Sequence, residues 1–464
     1  MSTRNRGGRT PGDQPGLGDP LLTGVPISIV IAVRNGAIHL KGAIASVRAQ
    51  SCGPVEIIVV DDASRDDTCS VAAESGADRI ARLDVAQGPS MARNIGIALA
   101  SGERITFLDA TDRMAPGRLC HQRRWLDQHP HMAGVFADLG VEAGSGGLSD
   151  SGDGLPISVM LRVPVLLNHG GFDPRCGTAE DGELLKRLER GGARIGRLKE
   201  PLTVSPSHRR RTRHHSGAMW SASGGTVHQP APSSPAPTIS VLIPVFETRR
   251  YLAAAVESVL ADALPGTEIV IVDDGSRDGS FDLALQLQRD EPSVRAVRQP
   301  HAGAGAARNL GLLLARGRYV AMLDADDLSM PGRFRSQLAS LEDDPTIEFV
   351  FGGIEEFISD DSPPAVAARL RPRVVASGHG TSSLLARRAA MAEVGLFPAG
   401  SAIADWPEWY ARAVDREVRM VSVPHVVARR RLHGANHSLV HDTARSQYLG
   451  ILRRSLVRRS GLGS

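Results

Sequence analysis

The chain has 464 residues, of which 42% are hydrophobic and 23% charged, a composition typical of globular protein with two or three domains. Its formal net charge is only +3, so composition gives no electrostatic case for nucleic acid as a partner. No apolar run approaches the roughly 20 residues of a membrane-spanning helix. We therefore expect a cytoplasmic protein that at most touches the inner membrane face.

The first 24 residues are rich in Gly, Pro and Arg and lack the apolar segment of a signal peptide. Residues 1–24 are therefore predicted to be a disordered tail. The four cysteines have no metal-binding spacing and are expected to be reduced thiols. They are Cys52, Cys69, Cys120 and Cys176.

Four sequence blocks occur twice, in the same order. The first two pairs are 212 positions apart (28 to 240 and 56 to 268), and the last two are 215 apart (92 to 307 and 107 to 322). This near-constant offset indicates tandem duplication of a whole domain, because it is far too long for a solenoid repeat. The pairs are Ser28–Asn35 with Ser240–Glu247, Glu56–Asp66 with Glu268–Asp278, Ala92–Gly96 with Ala307–Gly311, and Phe107–Arg118 with Met322–Arg333.

The duplication predicts an N-terminal copy at residues 25–215 and a C-terminal copy at residues 238–445, each of ordinary domain size. Residues 216–237 contain Gly-Gly and two Pro-Ala-Pro segments, which predict a semi-rigid linker. Residues 446–464 form a basic tail with two Arg pairs. A solvated tail is the favoured interpretation, and weak contact with anionic lipid is the alternative.

Within the C-terminal copy, short apolar runs alternate with segments that have apolar residues at helical spacing. In chain order the predicted elements are a strand at Ile239–Val245, a helix at Leu252–Leu260, a strand at Glu268–Val272, helices at Phe281–Leu287 and Ala304–Ala315, and a strand at Tyr319–Leu323. This alternation predicts parallel strands joined by crossover helices, and so an α/β sandwich with a mostly parallel sheet.

Acidic residues follow two of these strands, at Asp273-Asp274 and at Asp324-Ala-Asp-Asp327. Ligands of open α/β sheets bind outside the carboxyl ends of the strands, so both sets should face one crevice. Three carboxylates within four residues repel one another, and Mg²⁺ or Mn²⁺ accompanied by diphosphate would relieve that repulsion. The alternative is a helix-capping turn, since Asp is common in turns. Arg308 either faces a phosphate or base, or pairs with a neighbouring carboxylate, which is the commoner arrangement.

As an ordered set, these motifs resemble the family 2 glycosyltransferases of the GT-A fold. The motifs are Ile243–Phe246, Val272–Ser276, Gly303–Gly311 and the DxD-type element Leu323–Asp327. The resemblance covers nearly all of both copies and implies two GT-A-type α/β/α domains with mostly parallel sheets. It implies a nucleotide-sugar donor, with a UDP-sugar favoured, an unknown acceptor hydroxyl, a Mn²⁺ or Mg²⁺ ion, and inversion at the anomeric carbon.

The family pattern also implies roles for individual residues. Asp274 would hold the base, Arg308 the base or ribose, Asp326 the ribose or metal, and Asp327 the metal. The remaining nucleotide-site residues are Pro244, Phe246, Asp62 and Arg93, and the metal ligand of the N-terminal copy would be Asp112. Acceptor specificity is expected in the loops Phe351–Val375 and Phe136–Ile157.

An inverting transferase also needs a general base for the acceptor hydroxyl. The family places an Asp after a Gly-Gly-Phe-Asp-like segment, which matches Asp181 after Gly170–Asp173 and Asp405 after Gly395–Pro398. A helix N-cap is the alternative for each. The segment Arg429–Ser438 resembles the family's R-x-H-x-x-N-x-S tail, which makes Arg431 and His433 ligands of the leaving diphosphate.

The two copies differ in their acidic element, because Thr111 stands where the C-terminal copy has Asp326. The C-terminal copy departs from the family at Glu247 and Ala404. We therefore expect the main metal-dependent activity in the C-terminal copy. The alternatives are a pseudoenzyme pair that binds nucleotide or glycan without turnover, and a nucleotidylyltransferase. The latter lacks its Gly-rich, Lys-bearing loop, since Pro244–Tyr251 contains neither residue.

Overall fold

The computed structural model describes residues 24–141, 158–176, 180–205, 238–360, 362, 364–368, 372, 374–400 and 405–433. The predicted linker and C-terminal tail, and the N-terminal tail apart from Gly24, lie outside these residues. Within the described part, none of the helices has the length and apolar character needed to cross a membrane. All four cysteines are free thiols, as predicted.

The described residues form two mixed β-sheets, one in each predicted copy. Strands of the first sheet are β1 (Ile27–Val33), β2 (Val55–Asp61), β3 (Arg79–Arg82), β4 (Arg104–Phe107), β5 (Arg113–Met114), β6 (Gly134–Val141), β7 (Val159–Arg162) and β8 (Ile195–Ser205). Strands of the second are β9 (Ile239–Val245), β10 (Thr267–Asp273), β11 (Val294–Arg298), β12 (Tyr319–Met322), β13 (Leu328–Ser329), β14 (Phe349–Ile358), β15 (Val374–Gly378), β16 (Leu385–Arg387) and β17 (Met420–Leu432).

The two sheets have the same topology. Their strand orders are β3-β2-β1-β4-β7-β6-β8-β5 and β11-β10-β9-β12-β16-β14-β17-β13, with β15 added beside β14. The first four strands of each order are parallel, and β6 and β14 run parallel to β8 and β17. The α/β fold class predicted from the alternating pattern is confirmed, with antiparallel strands added at the far side of each sheet.

Helices cover both faces of each sheet. In the N-terminal copy they are α1 (Ala37–Arg48), α2 (Thr68–Glu74), α3 (Pro89–Leu99), α4 (Arg118–Gln128), α5 (Val163–His169) and α6 (Glu180–Arg190). In the C-terminal copy they are α7 (Arg249–Leu260), α8 (Ser280–Asp290), α9 (Ala304–Leu314), α10 (Arg333–Asp343), α11 (Pro364–Ala367), α12 (Arg388–Val394) and α13 (Asp405–Asp415). Because helices cover both faces, the central strands β1 and β9 are almost wholly buried, which explains their continuous Val and Ile content.

The two copies pack against each other, which the sequence did not predict. Helix α3 contacts α9, and α5 contacts α12. Apolar residues of both copies form one continuous buried cluster that includes Ile95 of α3 and Leu310 of α9. Polar contacts also cross this boundary: for example, Asn309 Nδ2 donates to the Ala98 carbonyl at 2.9 Å, and the Gly171 amide donates to the Leu313 carbonyl at 2.9 Å. The copies are therefore joined by a shared core as well as by the chain.

Two sequence interpretations of local structure need correction. Strand β11 was not predicted, because its short Val-Arg-Ala-Val-Arg segment alternates without a long apolar run. The two segments expected to be acceptor loops each begin as a strand, β14 and β6, whose first residues are buried in the sheet. Only their later parts extend beyond the sheet-forming residues, and residues 142–157 lie outside the described part.

Candidate functional site

The acidic element lies at the carboxyl end of β12, as predicted. All four residues of β12 are buried, and the amide of Leu323 still donates to the Leu242 carbonyl of β9 at 3.1 Å. The chain then turns, with the Asp327 amide donating to the Asp324 carbonyl at 3.0 Å. Three carboxylates are thereby gathered where the strand leaves the sheet, and Asp327, at 4% exposure, is the most buried of them.

Two hydroxyl side chains of the turn before β16 hold this element. Thr381 Oγ1 donates to Asp324 Oδ2 at 2.7 Å, and Ser382 Oγ donates to Asp327 Oδ2 at 2.6 Å. Ser382 Oγ also accepts the Asp324 amide at 3.1 Å. Sequence reasoning missed both residues, because they lie more than 50 positions from the acids and no local motif marks them.

The end of β17 brings Arg431 and His433 to the same carboxylates, as the family resemblance implied. The Arg431 amide donates to Asp327 Oδ1 and its Nε to the Asp326 carbonyl, both at 3.0 Å. His433 Nε2 lies 3.0 Å from Asp326 Oδ2. The Tyr251 ring packs 4.8 Å from the Arg431 guanidinium and 5.0 Å from the His433 ring, which fixes both side chains.

The electrostatics of the element suit a divalent cation. Burial, followed by the negative charges of Asp326 and Asp324, raises the pKa of Asp327 well above its ordinary value. Such mutual repulsion is what a hard cation with oxygen ligands relieves. Among the described residues, no group of three or more acidic, His or Cys side chains closes a complete metal site.

A buried arginine joins the acidic element to the predicted general base. Arg308, on α9, donates through Nη2 to Asp324 Oδ1 at 2.9 Å and through Nη1 to Asp405 Oδ2 at the start of α13. Burial acts to lower the pKa of Arg308, but Asp405 and Asp324 outweigh it and raise the pKa. Of the two contacts considered for Arg308, the structure shows the pairing with carboxylates, and its contact with the nucleotide stays a prediction.

The second predicted acidic set lies at the end of β10, where it organises the start of α9. The Asp274 carboxylate accepts the amides of Ala302 and Gly303, each at 2.8 Å, and Gln299 Nε2, also at 2.8 Å. Burial raises the pKa of Asp274. Gly303 has φ of 92°, a conformation that favours glycine, so the chain turns sharply into α9. Asp274 therefore shapes the loop that leads to Arg308.

An aromatic pair borders this loop. The Phe246 ring, one residue beyond β9, stacks on His301 with centroids 4.1 Å apart, and both side chains are partly exposed. Pro244 lies near the end of β9, opposite Val272 of β10. A flat, exposed ring pair can stack on a base, and nucleotide binding by Phe246 and Pro244 stays a prediction.

A second buried arginine donates hydrogen bonds to the backbone beside the acidic element. Arg333 is fully buried, and its Nη2 donates to the carbonyls of Met322 and Leu384 at 3.0 Å, while Nε donates to Gln337 at 3.2 Å. Burial lowers its pKa to about 10. The Pro-Gly-Arg segment was part of the repeated block in the sequence, but its structural role was not predicted.

The N-terminal copy repeats the bridging arginine and the loop before its helix. Arg93 donates to Asp109 at 3.3 Å and to the predicted base Asp181 at 3.2 Å. Asp62 accepts the amides of Gln87 at 2.7 Å and Gly88 at 3.1 Å, as Asp274 does in the other copy. Asp112 is buried at the end of the acidic element. Each predicted residue of this copy thus occupies the position of its C-terminal counterpart.

The residues that align with those around the acidic element also differ between the copies, in addition to Thr111. The register of β6 with β8 matches that of β14 with β17. The register of β4 with β7 likewise matches that of β12 with β16. Counting along these registers, the equivalents of Ser382 and Arg431 are Ile157 and Pro206, both outside the described residues. Ile has no hydroxyl group, and Pro has neither an amide hydrogen nor a guanidinium. The equivalent of His433 is His208.

The fold and site define a class: duplicated α/β domains of the GT-A type, each with a strand-end acidic element and an Asp linked to it by a buried Arg. The sequence profile of Glycosyl transferase family 2 matches residues 28–146 and 240–369, together more than half of the chain. The chain belongs to glycosyl transferase family 2, present as two tandem copies, which confirms the resemblance.

Similar proteins and structures carry glycosyltransferase names. An uncharacterized glycosyltransferase of Rickettsia felis is 27% identical over 402 residues, covering 70% of this chain, which spans 64% of that relative's length. One from Nostoc sp. is 31% identical over 228 residues, covering 45% of this chain and 69% of its own. The structure of S. aureus TarS with UDP-GlcNAc is similar with TM-score 0.36 and 21% identity, covering 42% of this chain and 61% of that one.

Proposed function

We propose that this protein is an inverting, metal-dependent glycosyltransferase that moves a sugar from a nucleoside-diphosphate donor to an acceptor hydroxyl, with its main activity in the C-terminal copy. The observation that carries the proposal is Arg308, which ties the candidate base Asp405 to the acidic element that also contacts Arg431 and His433. A proton acceptor and a leaving-group site are thereby held in fixed relation.

In the proposed reaction the acceptor hydroxyl attacks the anomeric carbon while Asp405 takes its proton. The bond between that carbon and the diphosphate oxygen breaks in the same displacement, which inverts the configuration. Arg308 holds Oδ2 of Asp405 and so fixes the orientation of the carboxylate. Its second contact, to Asp324, ties that orientation to the end of β12.

The departing diphosphate carries negative charge, which needs a cation and hydrogen-bond donors beside the acidic element to stabilise it. A divalent cation, Mg²⁺ or Mn²⁺, would be held by Asp326 and Asp327 with the diphosphate and would offset that charge. Arg431 adds positive charge at the same edge, and His433 adds a ring nitrogen that lies 3.0 Å from Asp326 Oδ2. UDP is the first nucleotide to test. Its proposed base site consists of Asp274, Phe246 and Pro244. The equivalent site in the N-terminal copy consists of Asp62 and Arg93.

The test compares donor turnover by the wild type, Asp405→Asn and Asp327→Ala, using UDP-sugars with Mn²⁺ and measuring UDP release. Loss of the general base should lower kcat by roughly 100-fold or more, and Asp327→Ala should abolish the Mn²⁺ dependence. Asp181→Asn is the matched control in the N-terminal copy and should retain most of the activity. Equal turnover in all four proteins would contradict the proposed function.

A further inference from the structure

One side chain of the N-terminal copy reaches the predicted nucleotide loop of the C-terminal copy. Gln87 Nε2 donates to the Arg298 carbonyl at 3.0 Å, across the boundary between the two copies. Arg298 is the last residue of β11, and the five residues that follow it lead to Gly303 and α9. The contact is therefore made where the loop around Asp274 begins.

The loop held by this contact makes most of the hydrogen bonds of Asp274. Arg298 itself pairs with Asp273 at 3.2 Å and donates to the Ser276 carbonyl at 2.6 Å. The next residue, Gln299, donates from its amide to the Asp273 carbonyl at 2.9 Å and from its side chain to Asp274. Fixing the Arg298 carbonyl thus restrains both strand-end acids and the His301 ring that follows.

Gln87 is itself firmly held. The backbone amide of Gln87 donates to Asp62 Oδ1 at 2.7 Å, and the backbone amide of the adjacent Gly88 donates to Asp62 Oδ2 at 3.1 Å. Asp62 is fully buried. The carboxylate that corresponds to Asp274 in the N-terminal copy therefore anchors the residue that reaches across the boundary.

The contact is not reciprocal. Ala302 occupies the position of Gln87 in the C-terminal copy, because its amide donates to Asp274 Oδ1 as that of Gln87 does to Asp62 Oδ1. A methyl side chain has no donor with which to hold the equivalent carbonyl of the N-terminal copy. The support runs from the copy with the altered acidic element to the copy with the complete one.

We propose that Gln87 is a positioning residue for the nucleotide site of the C-terminal copy, an inference that rests on the proposed function of that site. By holding the Arg298 carbonyl from outside the domain, Gln87 keeps the loop in the conformation that surrounds Asp274 before nucleotide arrives. Nucleotide binding then costs less ordering of the loop, which is the general advantage of preorganisation.

The experiment uses the full chain and two isosteric variants. Gln87→Glu removes the donor to Arg298, and Gln50→Glu removes a buried amide donor of the same copy that bonds the Ala115 carbonyl at 2.9 Å, within the N-terminal copy. Mn²⁺-dependent binding of UDP is measured by calorimetry. Backbone amide hydrogen exchange of residues 298–303 is measured without nucleotide.

Loss of one hydrogen bond predicts a roughly three- to tenfold higher Kd for UDP in Gln87→Glu, with faster exchange in the loop, and no change in either for Gln50→Glu. A Kd and an exchange rate equal to those of the wild type would overturn the positioning role while leaving the function intact. Absence of Mn²⁺-dependent UDP binding in the wild type would overturn the proposed function, and the exchange measurement would still decide whether Gln87 restrains the loop.

Discussion

The two copies keep the same scaffold and the same arginine-linked pair of carboxylates, but the described residues show a hydroxyl, a guanidinium and an imidazole group around the acidic element of the C-terminal copy alone. Arg93 and Arg308 each bridge an acid at a strand end to an Asp in a following helix. Asp326, Ser382 and Arg431 have Thr111, Ile157 and Pro206 as equivalents. The copies therefore match closely around the bridging arginine and differ in residue type around the acidic element.

This difference shows which parts of the site also serve the fold. Asp62 and Arg93 lie around α3, the helix that packs on the other copy, so changes there would disturb the shared core. The hydroxyl and guanidinium groups around the acidic element contact mainly that element, and their loss leaves the sheet intact. Retention of Asp62, Arg93 and Asp181 in the N-terminal copy therefore does not by itself require turnover there.

Among changes to the groups that differ between the copies, the largest expected effect comes from Arg431. Arg431→Ala removes the guanidinium beside Asp326 and should lower kcat for donor turnover by roughly 100-fold, as loss of a group that stabilises developing charge does. The measurement is steady-state kinetics with Mn²⁺.

Arg429→Ala is the matched control for this prediction. Arg429 lies two residues earlier on β17, pairs with Glu355 at 3.4 Å, and packs 4.5 Å from the Phe357 ring. Its loss should change kcat less than roughly threefold, as expected for a partly exposed ion pair. Equal losses in both variants would show that Arg431 acts through the strand and not through the leaving group.

The next prediction concerns what the copies share. Arg333→Met removes the guanidinium donor to the Met322 and Leu384 carbonyls and should lower the free energy of unfolding by about 3 kcal/mol. Arg118→Met removes the same support in the N-terminal copy, where Arg118 donates to Thr106, Thr203 and the Phe107 carbonyl. Urea unfolding of the full chain should show similar losses for both. A loss in one variant only would contradict a common scaffold.

The smallest expected effect is from restoring the missing acid. Thr111→Asp recreates the three carboxylates of the acidic element, but Ser382 and Arg431 still align in sequence with Ile157 and Pro206, whose side chains carry neither a hydroxyl nor a guanidinium group. We expect no additional Mn²⁺ to bind, by titration monitored with electron paramagnetic resonance. A second bound ion would show that carboxylates alone define the metal site.

The sequence predicted the parallel strands and the position of the acids because apolar runs and strand-end Asp residues are local patterns. Strand β11 was not predicted because a five-residue edge strand with two Arg residues shows no strong hydrophobic periodicity. The contribution of Arg431 and His433 was implied by family resemblance, and the structure brings both to Asp326 and Asp327.

Contacts between distant segments were beyond local reasoning. Thr381 and Ser382 contact the acidic element, and Tyr251 of α7 packs on Arg431, although no motif connects these residues to the site. Arg333 resembles any surface arginine in sequence, yet it is fully buried. The packing of α3 on α9 was missed because each helix is simply apolar over most of its surface, which indicates burial without naming the partner.

The most direct test of the account counts the Mn²⁺ ions bound in the presence of UDP by the wild type, Asp327→Ala and Asp112→Ala. We predict one ion per chain for the wild type and for Asp112→Ala, and none for Asp327→Ala. Retention of the ion in Asp327→Ala, or its loss in Asp112→Ala, would contradict the assignment of the metal-dependent site to the C-terminal copy.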